Sequence, residues 1–210
     1  MADCVRIEFE NLAKRFDLRV IFRSVSGKAG PGEVLVVTGP NGSGKSTLIT
    51  ILCGLLRATR GTVRYAWSDG SEIPRPRWRD HLGIVAPSMS LYEELDGMEN
   101  LKFFAFVRGL RRTEEELAGL LERVGLEPRR KTPVGGFSTG MHQRLKIAQS
   151  LLHDPEVLFL DEPSSNLDPV GQDWLEEQVH ELRKMGKAII LATNDRREMD
   201  WGTRRVALSG

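Results

Sequence analysis

Short apolar runs, separated by polar or glycine- and proline-bearing stretches, occupy both ends of the chain. Segment 5–10 alternates apolar and charged residues, which predicts a half-exposed strand, and segment 18–22 is a candidate antiparallel neighbour. Segments 33–38 and 157–160 are mainly apolar, as strands buried in a parallel sheet are. Further strands are predicted at 62–67, 82–86, 188–192 and 205–208.

In the middle of the chain, from about Asp96 to Leu152, apolar residues recur three and four positions apart. This spacing predicts three helices, the first starting near Asp96, the second spanning 113–124 and the third starting near Thr139. Within the second, Glu116 follows the starting threonine by three residues, which is the capping-box pattern. A fourth helix is predicted at about 169–185.

The order of these elements predicts an α/β fold with a mostly parallel sheet, helices on both faces and an antiparallel β edge. We interpret residues 1–86 and 153–210 as the α/β core. Residues from about 87 to 152 are interpreted as an inserted α-helical subdomain, so the 210 residues would form a single domain.

A glycine-rich stretch joins predicted strand 33–38 to an apolar segment at helical spacing, 48–56. It fits the pattern G-x-x-x-x-G-K-[ST] with the residues Gly39, Pro40, Asn41, Gly42, Ser43, Gly44, Lys45, Ser46 and Thr47. Its glycines allow successive backbone N–H groups to point at one phosphate, at the positive end of a helix. Lys45 would reach the β- and γ-phosphates, and Ser46 would ligate Mg²⁺. The stretch therefore predicts a P-loop NTPase core that binds a nucleoside triphosphate.

Two carboxylates, Asp161 and Glu162, follow the apolar run 157–160, which is the Walker B form. A buried parallel strand places its last residues at the carboxyl edge of the sheet, where open α/β sheets bind ligands. Because the chain also has a P-loop, we predict that Asp161 holds Mg²⁺. Glu162 is predicted to be the base that polarises the attacking water.

One aromatic residue, Phe16, lies on a polar segment that we interpret as the connection between the first two strands. Its ring could cover the edge of the sheet. Alternatively it could stack on an adenine ring, since nucleobases stack readily on aromatic side chains. The sequence leaves both interpretations open.

Charge, cysteine content and hydropathy indicate which partners and which cellular compartment to expect. The net charge is +1, so charge gives no reason to expect a nucleic-acid partner. Two basic clusters, 75–79 and 129–131, are interpreted as solvated loops. The two cysteines lie far apart in the sequence, which favours a reducing cytoplasm, and no run approaches the roughly 18 apolar residues that a membrane span needs. The charged N-terminus is not that of a signal peptide.

Two further stretches resemble the motifs of ATP-binding cassette (ABC) ATPases. The signature motif of that family, usually written LSGGQ, is similar to a stretch that contains Ser138, Thr139, Gly140 and Met141. Residues 164–168, ending in Asp168, resemble the D-loop that follows Walker B. The resemblance implies a head-to-tail dimer that binds ATP and Mg²⁺ between the P-loop of one cassette and the signature of the other. Ser138 and the Gly140 backbone would then donate to the γ-phosphate across the interface.

The resemblance also implies a partner: a separate membrane permease that the ATPase subunit powers from the cytoplasmic, inner face of the cell membrane. The helical block would be the docking side. Four of its apolar residues could face a partner or could equally belong to the core: Tyr92, Leu95, Met98 and Phe103. The short chain is most similar to compact exporters, such as the ATPase subunit of the haem exporter. The second cassette could be an identical or a different chain. The alternatives are a soluble ABC ATPase of DNA repair or ribosomes, a P-loop kinase, and an ATP-binding switch.

Three departures from the family pattern affect the expected activity. The signature has Phe137, Thr139 and Met141 where Leu, Gly and Gln are usual. Pro87 occupies the position of the Q-loop glutamine, where only the neighbouring Ser88 could substitute. Asn194 occupies the position of the switch histidine; it can donate a hydrogen bond to phosphate but carries no proton or charge near neutral pH. We therefore expect slow hydrolysis of ATP.

Overall fold

The computed structural model describes residues 4–165 and 167–209. Its strands are β1 Val5–Phe16, β2 Arg19–Ala29, β3 Val34–Thr38, β4 Arg60–Trp67, β5 Leu82–Val85, β6 Val157–Asp161, β7 Ala188–Ala192 and β8 Arg204–Ala207. An antiparallel sheet has the order β2-β1-β4, and a parallel sheet has the order β5-β6-β7-β3-β8. The expected parallel sheet with an antiparallel partner is confirmed.

Six α-helices connect or cover these strands within the described ranges. They are α1 Lys45–Leu52, α2 Gly97–Val107, α3 Glu114–Arg123, α4 Thr139–Ser150, α5 Pro169–Lys184 and α6 Arg196–Met199. Helices α2, α3 and α4 all lie between β5 and β6 in the chain, where the sequence predicts three helices. The limits of a helical subdomain at 87 and 152 stay a prediction, and the outer limits, Met1 and Gly210, lie outside the described residues.

The parallel sheet has an apolar layer on each face, because successive side chains of a strand point to opposite sides. In β3, Val34 and Val36 belong to a cluster with α2 to α5, whereas Leu35 and Val37 belong to a cluster with α1 and the antiparallel sheet. Strands β6 and β7 divide their side chains in the same way. Five buried residues in each of these three strands fix their register.

Helix starts follow the predicted capping chemistry. Thr113 Oγ1 accepts from the backbone N–H of Glu116 at 3.2 Å, and Glu116 Oε2 accepts from the backbone N–H of Thr113 at 2.8 Å. This reciprocal pair confirms the capping box. Asp96 and Glu99 form a second box at the start of α2.

Three details differ from the sequence-based expectations. Segment 14–16 is the end of β1, paired with β2, rather than a connection, because β-bulges near Asn11 extend the strand past residue 10. Segment 75–80 is a 3₁₀-helix that buries Trp78 against Tyr65, with the ring centroids 4.5 Å apart. Of the two interpretations of Met98, a partner contact is excluded and a core position is confirmed, because its side chain is only 6% exposed.

One buried amide, Asn100 at the start of α2, holds the loop before that helix. Its Oδ1 accepts from the backbone N–H of Tyr92 at 2.9 Å, and its Nδ2 donates to the carbonyls of Tyr92 and Asp96 at 2.9 and 3.0 Å. The side chain is 0% exposed. The Tyr92 N–H depends on this side chain, whereas the Tyr92 and Asp96 carbonyls also accept from the backbone N–H groups of Leu95 and Asn100.

Asn100→Ala should therefore lower the free energy of unfolding by about 1–3 kcal/mol, because the Tyr92 N–H loses its partner and the buried side-chain hydrogen bonds are removed. Lys102→Ala on the same helix removes an exposed ion pair with Glu114 and should change it by less than about 0.5 kcal/mol. Urea unfolding followed by circular dichroism measures both. Equal effects of the two substitutions would contradict this role of Asn100.

Candidate functional site

The site is built where three neighbouring parallel strands end. Strands β6, β7 and β3 are adjacent in that order, and Asp161, Ala192 and Thr38 are their last residues. The segments that follow these strands are therefore brought to the same edge of the sheet. They contain Glu162 after β6, Asn194 after β7 and the glycine-rich stretch 39–47 after β3.

The glycine-rich stretch turns sharply into α1. Gly42 and Gly44 have φ angles of 81° and 99°, in the left-handed region that other residues avoid. A Cβ atom on Gly44 would lie 2.4 Å from Ile21 Cγ2, whereas one on Gly42 would have no atom within 4 Å. Inside the turn, the Ser43 backbone N–H donates to the Pro40 carbonyl at 3.1 Å. Thr47 lies in the first turn of α1.

Lys45, the first residue of α1, is 5% exposed and points into this edge. Its Nζ donates to the Gly39 carbonyl at 3.0 Å and to Asn194 Oδ1 at 2.9 Å. Glu162 Oε1 lies 3.7 Å from the same Nζ. Asn194 Nδ2 in turn donates to Asn41 Oδ1. One buried ammonium group therefore contacts the ends of all three strands.

The two Walker B carboxylates differ in their surroundings. Asp161 is buried, and burial raises its pKa, against a smaller lowering effect from a hydrogen bond with Ser46 and from the Lys45 charge. Its Oδ1 has no hydrogen-bond partner within the described residues. Glu162 is 41% exposed, and its backbone has a φ of 47°, which turns the chain away from β6. Asp161 is thus a shielded acceptor and Glu162 an accessible one.

The donor set at Asp161 and Ser46 suits a hard cation such as Mg²⁺, which prefers a few carboxylate and hydroxyl oxygens together with water and phosphate oxygens. A buried carboxylate oxygen that lacks a protein partner is the atom such an ion would satisfy. A cavity of about 370 Å³ is lined by Ser46 and Asp161 and also by Ser88. Ser88, next to Pro87, therefore lies beside the same space; both residues are exposed.

The signature stretch lies apart from the P-loop. Ser138 is the N-cap of α4, and its Oγ accepts from the Met141 backbone N–H at 3.3 Å. Thr139 and Pro87 both line a second cavity of about 370 Å³, to which no P-loop residue contributes among the described residues. Asp168 caps α5 by accepting from the Gly171 backbone N–H at 2.8 Å. Asn166, in the stretch that resembles the D-loop, lies outside the described residues.

Phe16 is the last residue of β1 and is 45% exposed. Lys14 Nζ lies over its ring at 4.4 Å from the centroid. Phe16 pairs with Arg19 at the end of the β1–β2 hairpin. Ile21 of the same hairpin approaches the P-loop at Gly44. Both interpretations of Phe16 stay open, since the ring is partly exposed and also lies at the sheet edge.

Two polar residues that the sequence analysis missed contact the turn after Glu162. Gln143 Nε2 donates to the Pro163 carbonyl, and Glu198 Oε1 accepts from the Ser164 backbone N–H. Neither lies in a recognisable motif for this contact, because both bind backbone atoms far away in the sequence. Hydrophobic periodicity could not predict that Glu198 is buried, because it is a charged residue on a helix of only four residues.

A sequence model of the ABC transporter family matches residues 22–165, which is more than half of the 210 residues. The chain belongs to the ABC transporter family. This assignment accounts for the order of P-loop, signature, Walker B and D-loop stretches along the cassette.

Known relatives of the cassette carry the same family description. YdbJ of Bacillus subtilis (strain 168), an uncharacterized ABC transporter ATP-binding protein, is 37% identical over 196 residues, which cover 92% of this chain and 63% of YdbJ. SrtF of Streptococcus pyogenes, a lantibiotic transport ATP-binding protein, is 36% identical over 188 residues, covering 90% of this chain and 80% of SrtF. The cassette thus spans less than two thirds of the length of YdbJ.

A solved structure of an ATP-binding subunit of an ABC transporter superposes on the cassette with a TM-score of 0.82 at 28% identity. The match covers 96% of this chain and 85% of that structure. The parallel sheet with its helices and the added antiparallel sheet therefore form the ABC ATPase fold, as the sequence predicts.

Gly44→Ala should damage the P-loop more than Gly42→Ala. Both substitutions impose a left-handed φ on alanine, at a cost of about 1 kcal/mol, but only at position 44 does the new Cβ also collide with Ile21. The expected result is a larger loss of unfolding free energy and of nucleotide affinity for Gly44→Ala. Thermal unfolding and titration with a fluorescent nucleotide measure these. Equal losses would contradict the close approach of Ile21.

Proposed function

We propose that the cassette binds Mg·ATP, hydrolyses it to ADP and phosphate, and so powers a separate membrane permease. The observation that carries this proposal is the meeting of Lys45, Ser46, Asp161 and Glu162 at one edge of the sheet. Each is a group that phosphoryl transfer needs, and they come from segments more than 100 residues apart.

The P-loop side of the site binds the triphosphate. Lys45 supplies a buried positive charge, and the turn 39–44 together with the start of α1 supplies backbone N–H groups. A phosphate oxygen would replace the Gly39 carbonyl and the Asn194 amide as the acceptor for Lys45. Ser46 and Asp161 would hold Mg²⁺, which neutralises the charge that develops on the phosphates.

Glu162 is the residue that would activate water for hydrolysis. Its carboxylate is partly exposed, so it can hold the attacking water, and it lies 3.7 Å from Lys45, close to the predicted position of the γ-phosphate. Asn194 would donate to that phosphate through Nδ2. Because an amide carries no positive charge and Pro87 offers no side-chain donor or acceptor, we propose that turnover is slow.

Hydrolysis would take place in a head-to-tail dimer with a second cassette. Ser138, Thr139, Gly140 and Met141 start α4, where an N-terminus can bind the γ-phosphate of the other cassette. Asp168 starts α5 close by, since Leu167 lies 3.5 Å from the position of a Cβ on Gly140. The partner is either an identical chain or a different one. We expect no nucleic-acid partner, because the net charge is only +1.

A cluster of exposed aromatic and apolar side chains on and beside α2 is the proposed contact with the permease. Tyr92 and Phe103 pack edge to face at 4.6 Å, and both are at least 36% exposed. Phe106 and Val107 extend the cluster and are 80% and 63% exposed. Exposed apolar clusters of this kind mark protein interfaces. SrtF, a transport ATP-binding protein, gives the precedent for a transporter subunit.

Contact with a permease would place the cassette at the inner face of the cell membrane. No helix among residues 4–165 and 167–209 has the length and apolar character that crossing a membrane requires. The proposed attachment therefore depends on the permease. That the permease is an exporter, such as the haem exporter, stays a prediction.

Glu162→Gln should lower phosphate release from Mg·ATP by about 10²-fold or more, because it removes the base but keeps the size of the side chain. The variant should then accumulate as an ATP-bound dimer on size-exclusion chromatography. Glu177→Gln, an exposed change on α5, is the control and should behave as the wild type. If the wild type and Glu162→Gln both dimerise with ATP and neither releases phosphate, the chain is a binding switch instead.

Phe106→Ser should reduce recovery of the cassette with membranes from cells that also produce the permease. The physical reason is the loss of a large apolar side chain from the proposed interface. Met185→Ser removes an apolar side chain that is 59% exposed at the end of α5, outside the cluster, and should leave recovery unchanged. Equal recovery of both variants would contradict docking at α2.

A further inference from the structure

A single peptide unit, between Pro163 and Ser164, is held by side chains from two different helices. Its carbonyl accepts from Gln143 Nε2 of α4 at 2.8 Å. Its N–H donates to Glu198 Oε1 of α6 at 3.0 Å. Both polar groups of the peptide are thus bound by side chains rather than by backbone or solvent, which fixes its position and its orientation.

This peptide lies immediately after Glu162. The Glu162 carbonyl accepts from the Ser165 hydroxyl at 2.7 Å and from the Ser165 backbone N–H at 3.1 Å. A tight turn therefore connects the proposed base to the peptide. A shift of the peptide would move Glu162, and displacements of about 1 Å at a reacting group are enough to change rates strongly.

The Gln143 side connects the peptide to the signature stretch. Gln143 lies five residues after Ser138 on the continuous helix α4, about 7–8 Å along its axis. A helix transmits a movement of its first turn to its second, since the backbone hydrogen bonds resist bending. A movement of the signature at the start of α4 would therefore be passed through Gln143 to the Pro163–Ser164 peptide.

The Glu198 side connects the peptide to the segment of Asn194. Glu198 is 1% exposed on α6, whose N-cap is Asp195. Burial raises the pKa of its carboxyl, and nearby Ser164 and Thr193 partly oppose this. Arg197 of the same helix binds Asp173 and Glu176 of α5, both at 2.6 Å, so α6 is anchored. Burying a carboxyl group is costly unless it is hydrogen-bonded; here Oε1 accepts from the Ser164 N–H, whereas Oε2 has no hydrogen-bond partner among the described residues.

We propose that Gln143 and Glu198 are positioning residues that link the signature helix and the Asn194 segment to the hydrolytic Glu162 through the Pro163–Ser164 peptide. The proposal rests on the proposed function. Binding of a second cassette at Ser138 would shift the catalytic base Glu162 of the first cassette through Gln143. Contact of Asn194 with the γ-phosphate would shift the same peptide through Glu198.

The test compares Gln143→Ala, Glu198→Ala and the double variant, with Glu198→Gln as the conservative change that keeps a carbonyl acceptor. Lys146→Ala on α4 and Glu177→Gln on α5 are controls that do not touch the peptide. Turnover is measured as kcat and KM for Mg·ATP. ATP-driven dimerisation and single-site ATP affinity are measured separately in the Glu162→Gln background. Thermal unfolding and amide hydrogen exchange of segment 162–165 complete the set.

The expected result is a fall in kcat of about tenfold or more for each alanine variant, with KM changed by less than about threefold. Exchange in segment 162–165 should become faster, and ATP-driven dimerisation should weaken. Because both side chains act on one peptide, the double variant should lose little beyond the single variants. Glu198→Gln should retain most of the wild-type kcat.

Wild-type kcat, KM, dimerisation and exchange in both Gln143→Ala and Glu198→Ala, or a fall in stability alone, would overturn the linkage. If Glu198→Ala does not fold, Gln143→Ala decides, since Gln143 is only partly buried. Failure of the proposed function has a different signature: no phosphate release from the wild type. The dimerisation and exchange comparisons in the Glu162→Gln background then still decide the linkage.

Discussion

The order of three parallel strands, β6, β7 and β3, is the constraint on which the rest of the structure depends. Their hydrogen bonds pair Asp161 with Ala192 and Val37 with Ala192, so the three strands end level with one another. A slip of one residue in any of them would turn its apolar side chains to the wrong face. The packing that fixes the register therefore also fixes where Lys45 meets Glu162.

The two apolar layers divide the tasks of the cassette between the faces of this sheet. One face carries α1 and the antiparallel sheet, which together position the P-loop and Phe16. The other carries the helical block, including α4 and the exposed cluster on α2. Under the proposed function, contacts with the permease and with the second cassette would arise on the helical layer, whereas the P-loop starts the helix α1 of the other layer.

Local patterns in the sequence predict the parts of this arrangement that local chemistry dictates. The P-loop, the strand before Asp161 and the capping box at Thr113 each depend on residues within a few positions of one another. The continuation of β1 to Phe16 could not be predicted, because its bulges depend on pairing with β2. The contacts of Gln143 and Glu198 could not be predicted either, because they join these side chains to a backbone peptide 20 and 34 residues away in the sequence.

Asn194, which we predict to occupy the position of the switch histidine, has two polar contacts in the site. Its amide accepts from Lys45 through Oδ1 and donates to Asn41 through Nδ2 at the same time. A protonated imidazole could only donate, so it could not accept from the lysine. With a neutral residue here, Lys45 and the backbone N–H groups of the P-loop must supply the positive potential for the γ-phosphate. Under the proposed function, the absence of a charge on Asn194 would weaken the stabilisation of the charge that develops during hydrolysis.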